Sequence, residues 1–122
     1  MRRYSAAVLV LILCCFFACN KSSEDGVFIR VKNNTIQEFK EILTNNKRFE
    51  HITKSAVTSY QHFTRVSTLP FVTLINNDND TAYAGAHYVD PPFTYLKNGY
   101  YTVEVFEDVS AYYGYNCQYV KD

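Results

Sequence analysis

The chain opens on two cations, Arg2 and Arg3, followed by an uncharged apolar run from Ala6 to Ala18. Those thirteen residues fall short of the roughly 20 that a membrane-spanning helix needs. With a basic flank before them and the small Ala18 at their end, they have the layout of a cleaved export signal over residues 1–18. Polar residues then take over from Asn20 to Gly26, so that residues 19–26 read as a flexible tether. At Val27 the pattern changes again. Val27, Ile29 and Val31 alternate with Phe28, Arg30 and Lys32, as in a strand that turns one face to a core. Asn33-Asn34-Thr35 then supplies turn chemistry.

Ile36, Phe39, Ile42 and Leu43 recur at helical spacing, with Gln37, Glu38, Lys40 and Glu41 on the polar side. Local spacing favours a helix over residues 36–44, whereas a fold of short strands favours a strand over Phe39 to Thr44; both readings stay open. Phe49 to Ile52, Val57 to Val66, Phe71 to Ile75 and Thr81 to Val89 are rich in β-branched and aromatic residues and predict strands. Between the last two, Asn76 to Asp80 is the strongest turn signal in the chain. Asp90-Pro91-Pro92 breaks the ladder, because proline cannot donate a backbone hydrogen bond. A turn at Asn98-Gly99 leads into a strand whose Tyr101, Val103 and Val105 share one face, and Tyr115 to Lys121 reads as the closing strand. Residues 27–122 are therefore expected to form one all-β domain.

Leu96, Gly99, Tyr101, Val103 and Val105 together resemble the Leu-x-x-Gly-x-Tyr-x-Val-x-Val signature found near the end of immunoglobulin-like and transthyretin-like β-sandwiches. The resemblance implies a single small sandwich of about seven antiparallel strands. It also implies that Tyr101 fastens a corner by bonding backbone through its hydroxyl. At the other end, Phe16-Phe17-Ala18-Cys19 resembles the lipobox of bacterial lipoproteins, with phenylalanines where that family prefers Leu and a small or branched residue. Asn20 to Gly26 is similar to the polar tether of Bacteroidetes-type lipoproteins. This second resemblance implies cleavage before Cys19 and lipid on Cys19 as the link to a membrane. Asn20, in place of the Asp that retains many such anchors in the inner membrane, implies delivery to the outer membrane, facing either the periplasm or the outside.

Charge narrows the partners. The chain has 12 basic and 12 acidic residues, and losing Arg2 and Arg3 with the signal leaves ten against twelve. No basic face is visible, so nucleic acid is not an expected partner. Cys14 and Cys15 leave with the signal as well, which rules out a disulfide scaffold. Cys117 is expected to be a buried small apolar side chain on the last strand.

The aromatic load is the remaining feature. Eleven tyrosines and nine phenylalanines accompany no tryptophan. Tyr112, Tyr113 and Tyr115 crowd around Gly114, and an exposed group of this kind suits contact with an envelope protein or glycan. Tyrosine is also a good strand former that fills small cores. Candidate catalytic groups are sparse. His51, His62 and His87 show neither zinc-helix nor hydrolase-elbow spacing, although Tyr60 and His62 would share a strand face. Asp78 and Asp80 alternate like early calcium ligands, but the later Gly and Glu of such a loop are missing. The expectation is a lipid-anchored, non-catalytic binding or structural module without a cofactor. The competing reading is a metal-binding or hydrolytic enzyme built on His51, His62 and His87.

Overall fold

Apolar and polar side chains alternate along most of the chain, and the strands this produces bury one face each on a shared core. The structure, a computed structural model, describes residues 25–86 and 94–122. These residues hold eight strands: β1 (Val27–Asn34), β2 (Phe39–Thr44), β3 (Lys47–Ile52), β4 (Gln61–Phe63), β5 (Phe71–Asn76), β6 (Thr81–Gly85), β7 (Gly99–Glu107) and β8 (Tyr115–Lys121). They form two four-stranded sheets, ordered β4-β1-β7-β8 and β3-β2-β5-β6. Ile29, Val31, Val103 and Val105 of the first sheet meet Ile42, Phe49, Ile52, Val72 and Leu74 of the second in one buried cluster. Each such side chain contributes about 1.5–3 kcal/mol by leaving water.

Two details correct the expectation of about seven antiparallel strands. There are eight among the described residues, and β1 runs parallel to β7, from Val27 opposite Gly99 to Asn34 opposite Phe106. A parallel neighbour requires a long crossover, and the chain makes it through β2 and β3 of the second sheet, the short β4 of the first, and β5 and β6 of the second. The strand predicted over Val57 to Val66 contracts to Gln61–Phe63, with one isolated bridge between Val57 and Lys32. A side chain takes over where the ladder stops: the Thr58 hydroxyl accepts the Val31 N–H at 2.9 Å.

The ambiguous segment is a strand with an extra residue. Phe39 pairs with Asn76 and Glu41 with Ile75, so two steps along β2 match one along β5 and the strand bulges at Lys40. The bulge puts Phe39 and Ile42, three apart, on the same buried face, and that offset mimics a helical period. Neighbouring β3 shows the same three-residue spacing without a register shift against β2. Phe49 and Ile52 are both buried, and His51 between them has φ 53°.

Two ends result. The root end gathers Gly26 before β1, the β2–β3 turn at Asn45 and Asn46, the crossover from Thr64 to Pro70, Thr94 to Asn98, and the end of β8. There the buried Tyr101 donates its hydroxyl to the Lys97 carbonyl at 2.8 Å, fastening the turn into β7. The distal end holds the Thr35–Glu38 and Thr53–Ser55 connections, the β5–β6 turn and the β7–β8 loop. The eight residues of β1 separate the two ends by about 23 Å.

Candidate functional site: the distal loop

The loop from Asp108 to Gly114 is shaped by its own hydrogen bonds. Asp108 Oδ1 accepts the Ser110 hydroxyl at 2.6 Å and the Ser110 N–H at 3.0 Å, and Oδ2 accepts the Asn116 amide at 3.2 Å. These bonds, the Ser110 hydroxyl first, hold the Asp108 carboxyl below the usual carboxylate value. The backbone closes the loop from Asp108 N to Gly114 O at 2.9 Å and from Gly114 N to Ala111 O at 3.0 Å. A loop fixed in this way still leaves two apolar side chains in water: Val109 is 103% exposed and Tyr112 is 93% exposed.

Tyr112 meets Tyr113 edge-on at 4.8 Å, Tyr113 meets Tyr83 of β6 at 5.3 Å, and Tyr83 stacks on Phe71 at 5.9 Å. The aromatic row thus runs from the outer face of the second sheet to the distal tip. Of the three tyrosines singled out from the sequence, Tyr112 and Tyr113 stand together and Tyr115 departs. Strand alternation is the reason: Tyr115, Cys117 and Tyr119 share the inner face of β8. Tyr115 packs edge-on to Phe39 at 5.7 Å, and burial, aided by Glu107, raises its phenol above the ordinary value. Cys117 is buried, and that burial pushes its thiol up to about 12, so it stays protonated near neutral pH.

The two described histidines do not share a sheet. His51 lies on β3 in one sheet and His62 on β4 in the other, while His87 lies outside the described residues, as do Cys19 and residues 1–18. Among the described residues no group of three or more His, Cys, Asp or Glu side chains is placed to hold a metal ion. His62 instead closes over the point where the chain enters the fold. Its Nε2 is 3.1 Å from the Asp25 carbonyl, and its ring covers Gly26, where a Cβ would strike it. Asp78 and Asp80 belong to a hairpin turn organised by Asn76, whose side-chain oxygen accepts both of their N–H groups at 3.0 and 2.9 Å.

Sequence reasoning missed a second aromatic strip, on the outer face of the first sheet. Phe28 stacks on Tyr100 at 4.8 Å and tilts against His62 at 5.1 Å, Tyr60 meets Tyr100 edge-on at 5.1 Å, and the Arg30 guanidinium lies 4.9 Å over Tyr60. Arg30 is in turn 3.6 Å from Asp122. Burial pushes the Asp122 carboxyl up, but hydrogen bonds from Tyr60 and Thr102 and the Arg30 charge outweigh it and leave it below its ordinary value. The available signal was Phe28 and Tyr100, both on the outward phase of their strands.

Between the sheets, a crevice of about 80 Å³ is lined by Phe39, Leu74, Ala82 and Tyr115, among others. At roughly 30 Å³ per water it admits a few waters, well below the several hundred Å³ of a small-molecule site.

No protein-family model matches this chain, and no curated protein sequence matches it. What the fold defines is therefore a class: an all-β sandwich of two four-stranded sheets with an ordered, apolar-tipped distal loop.

Proposed function

We propose that this chain is a lipid-anchored, non-catalytic binding module of the cell envelope, tethered through Cys19 at its root and contacting a protein partner with its distal loop. The observation that carries the reading is the loop itself. Val109 and Tyr112 are almost wholly exposed on a backbone that six hydrogen bonds already hold in shape. Presenting apolar groups on a preorganised loop lowers the ordering cost of binding, and exposed tyrosine beside aliphatic side chains is the make-up of interface anchors. Ile36, 67% exposed at the same end, extends the patch. A protein fits better than a glycan, because the Tyr112 and Tyr113 rings stand at 75° to each other and offer no flat platform for a sugar.

An immunoglobulin-like or transthyretin-like type for the sandwich belongs to the same proposal, and the Tyr101 to Lys97 bond supports it. The anchor reading is supported by the position of Gly26, which precedes β1 at the root, the opposite end of the strands from the loop. The paired substitution Val109→Ser and Tyr112→Ser should weaken retention of the partner from envelope extracts by about tenfold or more. The unfolding midpoint should not move, since neither side chain supports the core. Unchanged retention, or a lowered midpoint accounting for the loss, contradicts the reading.

A further inference from the structure

We infer a second interaction surface: the root end docks on the headgroups of an anionic lipid bilayer, so that the domain stands on its membrane and is not merely leashed to it. The inference rests on the anchor reading above and adds an orientation to it.

Its basis is the distribution of charge once internal pairs are removed. Four ion pairs neutralise charge within the sheets, that of Asp122 at the root included: Arg30 with Asp122 at 3.6 Å, Lys32 with Glu104 at 3.9 Å, and Arg48 with Glu41 at 3.4 Å and Glu50 at 3.9 Å. The ends are left unbalanced, with opposite signs. Among the described residues the root carries Lys47, Arg65, Lys97 and Lys121 against Asp25, and none of these four cations has a described carboxylate within ion-pair distance. The distal end carries Glu38, Asp78, Asp80, Glu107 and Asp108 against Lys40 and Lys54.

Aromatic and aliphatic groups accompany the root cations. Arg65 lies 3.8 Å over the Tyr95 ring, Lys47 lies 4.8 Å over Phe63 and donates to the His62 carbonyl, and Leu69 and Tyr95 are exposed. Cations on aromatic stems beside a half-exposed leucine suit the headgroup layer, where tyrosine rings and basic side chains settle.

Chain length sets the geometry. Six peptide steps separate Cys19 from Asp25, a reach of at most about 22 Å. A lipid on Cys19 therefore keeps the root near the bilayer, and contact brings its cations inside the ~8 Å screening length of physiological salt. Each basic residue held at an anionic surface strengthens adhesion about fivefold, while the acidic distal end is repelled and the Tyr112 loop faces outward.

The test uses the full chain, processed and acylated in cells, reconstituted on phosphatidylcholine vesicles and on vesicles that also contain phosphatidylglycerol. Amide exchange at residues 64–66 and 94–98 should slow several-fold on the anionic vesicles alone, return in high salt, and leave residues 108–114 unchanged. Reversing the root charges with Arg65→Glu, Lys97→Glu and Lys121→Glu should abolish the protection; reversing Lys40→Glu and Lys54→Glu should not. Equal exchange on both vesicles, or equal sensitivity to root and distal reversals, overturns the docking while a protein that floats with both vesicles upholds the anchor. A protein that carries no acyl chain and floats with neither overturns the anchor, and the docking with it.

Discussion

Replacing Asn33 with Ala should destabilise the domain by about 3 kcal/mol or more, because several buried polar groups lose their partner at once. Asn33 is fully buried near the end of β1. Its side-chain amide donates to the carbonyls of Gln37 at 2.7 Å, Thr53 at 3.1 Å and Ile52 at 3.3 Å. Its oxygen accepts the Thr35 hydroxyl at 2.7 Å and the Thr35 N–H at 3.0 Å. One side chain thus ties the β1–β2 connection to the β3–β4 connection, joining the two sheets at the distal end. Alanine cannot replace any of these bonds, and those to the Ile52 carbonyl and to Thr35 are buried away from water. Urea unfolding should show the midpoint falling with the slope unchanged, whereas Asn34→Ala, at the exposed neighbour, should stay within about 0.5 kcal/mol of wild type. A silent Asn33→Ala would mean that the network contributes nothing.

Gly85→Ala carries the second large effect, expected at about 2 kcal/mol or more from steric overlap and backbone strain together. Gly85 ends β6 opposite Phe71 with φ +91°, a region that L side chains rarely adopt. A Cβ there would overlap the Pro70 carbonyl oxygen, which accepts the Ala86 N–H at 3.2 Å, and would lie 2.9 Å from Cys117 Sγ. The oxygen belongs to backbone and the sulfur to a packed core side chain, so neither yields easily. A thermal melt reports the outcome: the midpoint should drop by about 8 °C or more, and an unmoved midpoint would show that β6 can shift at little cost.

Much of the fold was legible because strand alternation is a local property. Val27, Ile29 and Val31, then Tyr101, Val103 and Val105, announce their buried faces within six residues each, and the Tyr101 corner bond follows from its motif. What escaped depends on partners distant in sequence. Asn33 reads as a turn residue by composition, yet its burial comes from loops about twenty residues away. The bulge at Lys40 shifts the phase of β2, and only its register with β5 distinguishes that shift from a helix. Tyr112 and Tyr115 look equivalent around Gly114 until the onset of β8 fixes which of them alternates inward. The opposed charges of the two ends are invisible in a chain of 12 basic and 12 acidic residues, because topology alone sorts Lys47, Arg65, Lys97 and Lys121 to one pole.

The proposed lipid on Cys19 is tested most directly by the intact mass of the protein extracted from the cells that make it. The account predicts a polypeptide that begins at Cys19 and is heavier than its sequence by the mass of fatty acyl chains. A product of unmodified mass, or one whose first residue is not Cys19, would contradict it.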